Sequence, residues 1–254
     1  MSPGLAICLL GTFRVLKAGA PVAVRPGGKT EALLRELALQ EHYRASRERL
    51  LETMWPESDT SHAVQALNSL VHATRKQFGD VLDGAAPVVY ADGGYRLNTD
   101  AGVSVDIGQF DALSDRAERG FHSGDTASAL EHALGAITVY QGDLCEADGV
   151  HALVERERLR ALYLSLLGQV ADQYFTAADY PAALRYALRL LRHDPCREDA
   201  HRLVMRCHVR SGRRAQAFRQ YRTCEQMLQA EFGVRPELLT VALFDQVRTS
   251  PGSV

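Results

Sequence analysis

Internal repetition in the second half of the chain constrains its fold more than any other feature. From Val105 onward the sequence shows helical periodicity, without the strict alternation that predicts strands. Three segments look alike, and each begins a helix after a tight turn: residues 124–130, 178–184 and 212–218. Ala183 and Ala217 occupy the same place in their segments and lie 34 residues apart. This period is typical of stacked helix pairs, with one pair in each repeat.

Several residues stand at the signature places of a tetratricopeptide repeat. They are Tyr174, Ala183 and Pro195 in residues 164–197, and His208, Ala217 and Tyr221 in the repeat that follows, where His208 replaces the tyrosine. Small alanines let paired helices approach closely, and the aromatic ring fills the gap beside them. The sequence therefore predicts an all-α, tetratricopeptide-like domain, whose concave surface would be suited to binding proteins.

The first half mixes strands and helices. Residues 5–25 alternate as strands around a glycine–proline turn, and residues 88–98 predict a hairpin around Asp92-Gly93-Gly94. Three helices are predicted between them: Lys29–Tyr43, Arg47–Trp55 with Ser46 as N-cap, and Ser61–Gly79 with Thr60 or Ser61 as N-cap. Strands, three helices and a hairpin in this order predict an α+β winged helix-turn-helix.

The third of these helices has two chemically distinct faces. Its apolar stripe consists of Ala63, Leu67, Leu70, Val71, Thr74 and Phe78. Its polar face consists of Gln65, Asn68, His72 and Arg75, beside Lys76. Amide, imidazole and guanidinium groups can read base edges in the major groove of DNA. An ordinary amphipathic helix has the same pattern, and it is the winged-helix order of the neighbouring elements that favours DNA recognition.

The charge of the first half limits how it could hold DNA. Residues 1–98 contain 11 basic and 10 acidic side chains, whereas residues 99–254 contain 18 and 21. Affinity for DNA rises with the number of phosphates neutralised, so a nearly neutral domain must concentrate its positive charge locally. The candidate positions are Arg44, Arg47, Arg49, Arg75, Lys76 and Arg96. We expect two copies of the chain, or a partner, to hold a promoter.

Short runs in both halves resemble one family of regulators. In the first half the runs are LLGTFRV, RERLLETMWP, ALNSLVHATRKQFG and GGYRLN. They resemble the winged-helix domain of the Streptomyces antibiotic regulatory proteins (SARPs). In the second half, residues 105–110, 140–144, 194–202 and 212–221 are similar to the bacterial transcriptional activation domain (BTAD). The resemblance implies a DNA-binding domain over residues 1–99 and a BTAD over residues 103–248, as in the short members without ATPase or sensor domains.

The resemblance also implies a function and a set of partners. Such proteins are sequence-specific activators that bind direct repeats in double-stranded promoter DNA near the −35 element, often for secondary-metabolite clusters such as those for antibiotic biosynthesis. They recruit RNA polymerase, including its sigma factor, and the repeat domain is expected to support a homodimer on DNA. In related winged helices the loop before the recognition helix meets polymerase. The corresponding candidate contacts here are Trp55, Glu57 and Asp59.

One position departs from the family pattern. The recognition helix of the family usually carries a run like Ser-Arg-Leu-Arg-Arg, whereas this chain has His72-Ala73-Thr74-Arg75-Lys76. Ala73 stands where an arginine is expected. This difference bears on affinity or target sequence rather than on the fold.

Motifs for enzymatic or metal chemistry are incomplete. The run Gly27–Thr30 suggests a phosphate loop, but Ala23 stands where that motif needs a glycine, so it is read as a helix start. Cys196, His201, Cys207 and His208 do not share a helical face, which argues against a zinc site. Nucleophile signatures are absent. The sequence thus predicts no enzyme, no cofactor and no metal.

The sequence favours a cytoplasmic, nucleoid-associated protein with no membrane contact. Its apolar runs fall short of the roughly 18 residues that cross a bilayer, and its N-terminus lacks a signal-peptide pattern. Five cysteines without CxxC spacing predict reduced, buried thiols.

Two alternatives to DNA recognition remain open. The helical repeats could carry the function as a protein-interaction module whose wing is weak or unused on DNA, which the near-neutral charge and Ala73 favour. The helical concavity could instead bind a small molecule, as a ligand sensor does.

Overall fold

The computed structural model describes residues 4–145 and 150–254. These residues form two compact units, one within Met1–Ala112 and Thr138–Leu159, the other within Leu113–Ile137 and Arg160–Val254. The first contains an α+β winged helix-turn-helix and the second is built from helices stacked as in tetratricopeptide repeats, as the sequence predicts. The division between units runs through three helices, whereas the sequence places a domain boundary between residues 99 and 103.

In the described residues, every strand lies before α4, and helices follow one another from α4 onward. The strands are β1 Leu5–Cys8, β2 Arg14–Lys17, β3 Ala20–Val22, β4 Arg44–Ser46, β5 Val88–Ala91, β6 Gly94–Leu97 and β7 Val103–Val105. The helices are α1 Lys29–Ala38, α2 Arg47–Met54, α3 Thr60–Phe78, α4 Asp106–Ser123, α5 Thr126–Val139, α6 Val150–Thr176, α7 Tyr180–His193, α8 Glu198–Arg210, α9 Arg214–Phe232 and α10 Leu238–Thr249.

The first unit contains two small sheets. One has the order β3-β2-β1-β7, with β1 and β7 parallel and the other pairs antiparallel. The second has the order β4-β6-β5 and is antiparallel throughout. The parallel pair matters for the architecture, because α1, α2, α3 and the second sheet all lie in the connection between β3 and β7. Strands from both ends of the winged segment therefore join in one sheet.

The carboxylate of Asp106 fastens the end of β1 to the start of α4. It accepts hydrogen bonds from the backbone N–H of Leu9 at 2.8 Å, of Leu10 at 2.8 Å and of Ile107 at 2.9 Å. Burial raises the pKa of the Asp106 carboxyl, and the amide hydrogen bonds oppose that rise. Because Leu9 and Leu10 are fully buried, their amides depend on this side chain for an acceptor.

Two helix boundaries differ from the sequence prediction. The first helix ends at Ala38 rather than Tyr43, because the backbone is already extended at Gln40 (ψ 152°), and His42 and Tyr43 then adopt positive φ angles of 53° and 55°. The third helix has Asp59, not Thr60 or Ser61, as its N-cap. The predicted N-cap of α2 is confirmed, since the Ser46 hydroxyl accepts from the amide of Arg49 at 3.1 Å.

Fully buried alanines allow the helices of the second unit to pack closely. Ala129, Ala183 and Ala217, at the same place in the three similar segments, are all 0% exposed. Tyr174 packs against the cluster around Ala183 and stacks on Tyr186 at 5.6 Å. Helix α8 packs against both α7 and α9, so successive repeats share one core.

The polar and thiol groups of this unit are held within its packing. The ring of buried His201 donates through Nε2 to the carbonyl of Pro195 at 2.8 Å and accepts through Nδ1 from Gln220 at 2.6 Å. Across residues 4–145 and 150–254, no three His, Cys, Asp or Glu side chains are grouped to hold a metal ion. Cys207 and Cys224 of this unit, and Cys8 of the first unit, are buried free thiols; Cys196 of this unit and Cys145 of the first unit, expected to be buried, are only partly so.

None of the helices described has the length and apolar character needed to cross a lipid bilayer.

We predict that Asp106→Ala will destabilise the first unit. Each buried amide left without an acceptor costs about 1–3 kcal/mol, so the free energy of unfolding should fall by at least that amount. Thermal and denaturant unfolding of the full chain measure the change. Asp115→Ala removes an exposed carboxylate from the same helix and is the control. Equal unfolding free energies for the two variants would contradict this role for Asp106.

Candidate nucleic-acid interface

Helix α3 presents the two faces that its sequence predicts. Ala63, Leu67, Thr74 and Phe78 are buried, while Leu70 and Val71, expected on the same stripe, are half-buried. The predicted polar residues are all exposed: Gln65, Asn68, His72, Arg75 and Lys76. Ala73 is exposed as well, so it borders this polar face and is not part of the core. The helix thus offers solvent a surface of hydrogen-bonding and cationic groups.

Two residues of this face bond to neighbouring elements. The buried hydroxyl of Tyr95, on β6, donates to Oδ1 of Asn68 at 3.1 Å. The guanidinium of Arg75 donates from Nη2 to the carbonyl of Gly84 at 3.3 Å, in the segment between α3 and β5. The polar face is therefore tied to the hairpin near its middle and to the following loop near its end.

The hairpin of β5 and β6 forms beside α3 as predicted. Asp92 and Gly93 have φ angles of 48° and 81°, the positive values that a tight type I′ turn requires. Alternation along β6 buries Tyr95 and Leu97 and leaves Arg96 one-third exposed. The Arg96 guanidinium forms an ion pair with Asp100 at 2.9 Å, so this predicted phosphate contact already has an acidic partner.

Arginines of α2 and β4 surround the hairpin. The guanidinium of Arg47 lies over the ring of Tyr90 at 5.0 Å, and its Nε has no hydrogen-bond partner among the described residues. Arg44, opposite Arg96 in the sheet, donates to the backbone carbonyl of Asp92. Arg49 pairs with Glu36 at 2.9 Å. Several of the arginines that should concentrate positive charge are therefore partly neutralised by local carboxylates or carbonyls.

The loop between α2 and α3 presents a mixed acidic and aromatic surface. Glu57 and Asp59 are exposed, and Trp55 is half-buried. The Lys29 ammonium donates to the carbonyl of Met54 and lies 5.0 Å from the centre of the Trp55 ring, which fixes the start of the loop. Leu51, Glu52, Trp55, Thr60 and Ala63 help to line a groove of about 290 Å³ beside it.

Asp59 has a structural role as well as an exposed position. It is the N-cap residue of α3, and its carboxylate accepts a hydrogen bond from the Ser61 hydroxyl, which lowers the pKa of the Asp59 carboxyl. Of the two acidic loop residues, Glu57 is thus the one whose replacement leaves the helix start intact.

Sequence reasoning missed three side chains that shape this surface. Alternation indicates that Tyr95 points inward, but it does not indicate that the hydroxyl reaches α3. The ring of Tyr90 stacks against the guanidinium of Arg47, a residue 43 positions away in the sequence. No local pattern indicates this contact. The sequence places Lys29 at the start of the first helix, but it does not indicate that the ammonium group binds the end of α2.

Comparison with known proteins places the chain among bacterial regulators. The family profile described as "Bacterial transcriptional activator domain" matches residues 105–248. Regulatory protein AfsR of Streptomyces coelicolor is 29% identical over 236 residues, covering 92% of this chain and 23% of AfsR. AfsR of Streptomyces griseus is 27% identical over 237 residues, covering 92% of this chain and 24% of its own length. The chain thus spans about a quarter of these relatives.

A solved structure has the same fold. Mycobacterium tuberculosis EmbR, in complex with a low affinity phosphopeptide, superposes with a TM-score of 0.72 at 22% identity, covering 97% of this chain and 65% of EmbR. The matched profile spans more than half of the chain, and the similarity to AfsR extends into the winged helix. The chain therefore belongs to the bacterial transcriptional activator domain family, which agrees with the resemblance of its sequence to the SARPs.

Proposed function

We propose that this regulator is a sequence-specific transcriptional activator that binds double-stranded promoter DNA and recruits RNA polymerase. The observation that carries the proposal is the exposed row of amide, imidazole and cationic groups on α3, within a winged helix attached to an activator domain. Residues 1–99 would bind DNA, and residues 103–248 would support dimerisation and polymerase contact.

In this proposal α3 enters the major groove. Gln65, Asn68 and His72 would face base edges, while Arg75 and Lys76 would meet a guanine or the backbone. The hairpin would lie along the flanking backbone. Arg96 would exchange Asp100 for a phosphate, and Arg47, stacked on Tyr90, would present its cation at the same edge.

The charge distribution supports binding by two copies. The first 98 residues carry nearly equal numbers of acidic and basic side chains, and Arg49 and Arg96 each have a carboxylate partner nearby. A single domain would therefore gain little from nonspecific phosphate contacts. Two copies on direct repeats would double the number of base contacts, consistent with control of a dedicated set of genes such as a secondary-metabolite cluster.

The loop after α2 supports a polymerase contact. Glu57 and Asp59 are exposed next to the half-buried Trp55, and an acidic surface beside an aromatic side chain is complementary to a basic, partly apolar surface such as a sigma factor can present. Since the loop precedes α3 directly, it would lie outside the groove when α3 reads DNA.

We predict that Arg75→Ala will weaken specific binding. A bidentate arginine–guanine contact contributes about 1–3 kcal/mol, whereas loss of a phosphate contact would reduce the salt slope. The full chain is first used to select duplexes from a randomised pool, and affinities for the selected duplex are then titrated against salt. Arg119→Ala removes the same charge from the exposed surface of α4 and is the control. If the wild-type chain selects no sequence, the DNA-binding proposal is wrong.

We predict that Ala73→Arg will tighten binding. The exposed position borders the polar face, so an added arginine can reach a phosphate and should steepen the dependence of log affinity on log salt by about 0.9. Ala112→Arg adds the same charge at an exposed position of α4. An unchanged slope for Ala73→Arg, with normal folding, would place residue 73 outside the interface.

We predict that Glu57→Lys will separate activation from DNA binding. Charge reversal should repel a basic polymerase surface while preserving selection of the same duplex, because Glu57 lies outside the row of α3 side chains proposed to read base edges. Transcription in vitro from a promoter carrying the selected sequence measures activation. Glu41→Lys, at another exposed carboxylate, should activate normally. Full activation by Glu57→Lys would exclude this loop as the contact.

A further inference from the structure

Asn68 is exposed on the polar face of α3, yet its amide is held by a buried group. The hydroxyl of Tyr95 donates to Oδ1 of Asn68 at 3.1 Å. Tyr95 is only 4% exposed, so this bond joins an interior anchor to a surface side chain. Gln65, one turn earlier, carries the same chemical group on this face and is also exposed.

The Tyr95 ring has little freedom to move. Tyr95 lies on β6, the central strand of its sheet, opposite Ala45 on one side and Tyr90 on the other. A side chain at Gly94 would place its Cβ 2.6 Å from the carbonyl oxygen of Ala45, so the strands approach closely and their register is fixed. Tyr90 contacts the Tyr95 ring edge-on at 5.0 Å, beneath the Arg47 guanidinium.

Fixing one lone pair of the Asn68 carbonyl has a chemical consequence. An asparagine amide offers two donors and two acceptor lone pairs, and a free surface amide rotates between orientations. The hydrogen bond from Tyr95 occupies one lone pair and restricts rotation of the Asn68 amide. Both N–H donors and the other lone pair then remain available to a base edge. Recognition of a base edge needs such groups placed within about 0.5 Å and 10–20°.

We propose that Tyr95 is a positioning residue for base recognition: its hydroxyl orients the Asn68 amide so that α3 discriminates one base pair more sharply. This inference rests on the proposed binding of DNA by α3. It makes the hairpin part of sequence readout through Asn68, in addition to any contact of the hairpin with the backbone. A hydroxyl that only satisfies its own hydrogen bond would have no such effect.

The test is a double-mutant cycle on the full chain, with Tyr95→Phe, Asn68→Ala and the double variant. Affinities are measured for the duplex selected by the wild-type chain, for its single base-pair variants and for a scrambled duplex. Tyr95→Phe should reduce discrimination at one base pair by about 3- to 10-fold, the range expected for one hydrogen bond. Affinity for scrambled DNA and its salt slope should not change.

The cycle separates positioning from a structural role. In the Asn68→Ala background, Tyr95→Phe should cause no further loss of discrimination, because the group it orients is gone. Tyr180→Phe removes a tyrosine hydroxyl from α7, outside the proposed interface, and serves as the control; it should discriminate as the wild type does. Binding is measured below the melting temperature of every variant.

Two results would overturn the proposal. One is unchanged discrimination by Tyr95→Phe in the presence of Asn68. The other is an equal loss with and without Asn68, which would show that the hydroxyl acts on the hairpin and not on the amide. Both differ from the failure of the proposed function, in which the wild-type chain selects no sequence at all.

Discussion

The hydrogen bonds of the Asp106 carboxylate are the interaction on which the first unit depends. They join the amides at the end of β1 to the first turn of α4, beside the parallel pairing of β1 with β7. The chain leaves this sheet at β3, forms the whole winged segment, and returns at β7. A parallel pair needs such a long connection, and here the connection is itself the candidate interface. Asp106 thus closes the frame that holds α3 and its hairpin.

Within that frame, the polar surface of α3 is organised by the hairpin. Tyr95 is both a core residue of β6 and a hydrogen-bond donor to Asn68, while Arg47, Tyr90 and Tyr95 contact one another in turn. The aromatic rings supply apolar burial, and their polar or electron-rich parts hold an amide and a guanidinium. The hairpin therefore holds side chains of α3 and α2 in place, in addition to any contact that it makes with a DNA backbone.

Several arginines of the first unit have local partners that offset their positive charge. Arg49 and Arg96 have carboxylate partners, and Arg44 is bound to the turn of the hairpin. Exposed pairs of this kind contribute little to stability. If the first unit binds DNA as proposed, replacing these carboxylates by phosphates would therefore cost little.

The sequence by itself determined the two-part architecture, the 34-residue repeat and the two faces of α3. These features are periodic or local: Ala183 and Ala217 repeat at a fixed interval, and the apolar stripe of α3 follows helical spacing. It did not determine where the first helix ends, because neither the extended backbone of Gln40 nor the positive φ angles of His42 and Tyr43 has a sequence signal comparable to glycine. Only the tertiary structure decided that Arg96 meets Asp100, that Lys29 binds the end of α2 and that Tyr95 holds Asn68. The last two of these bonds join residues at least 25 positions apart, and the geometry of all three is set by packing rather than by any pattern in the chain.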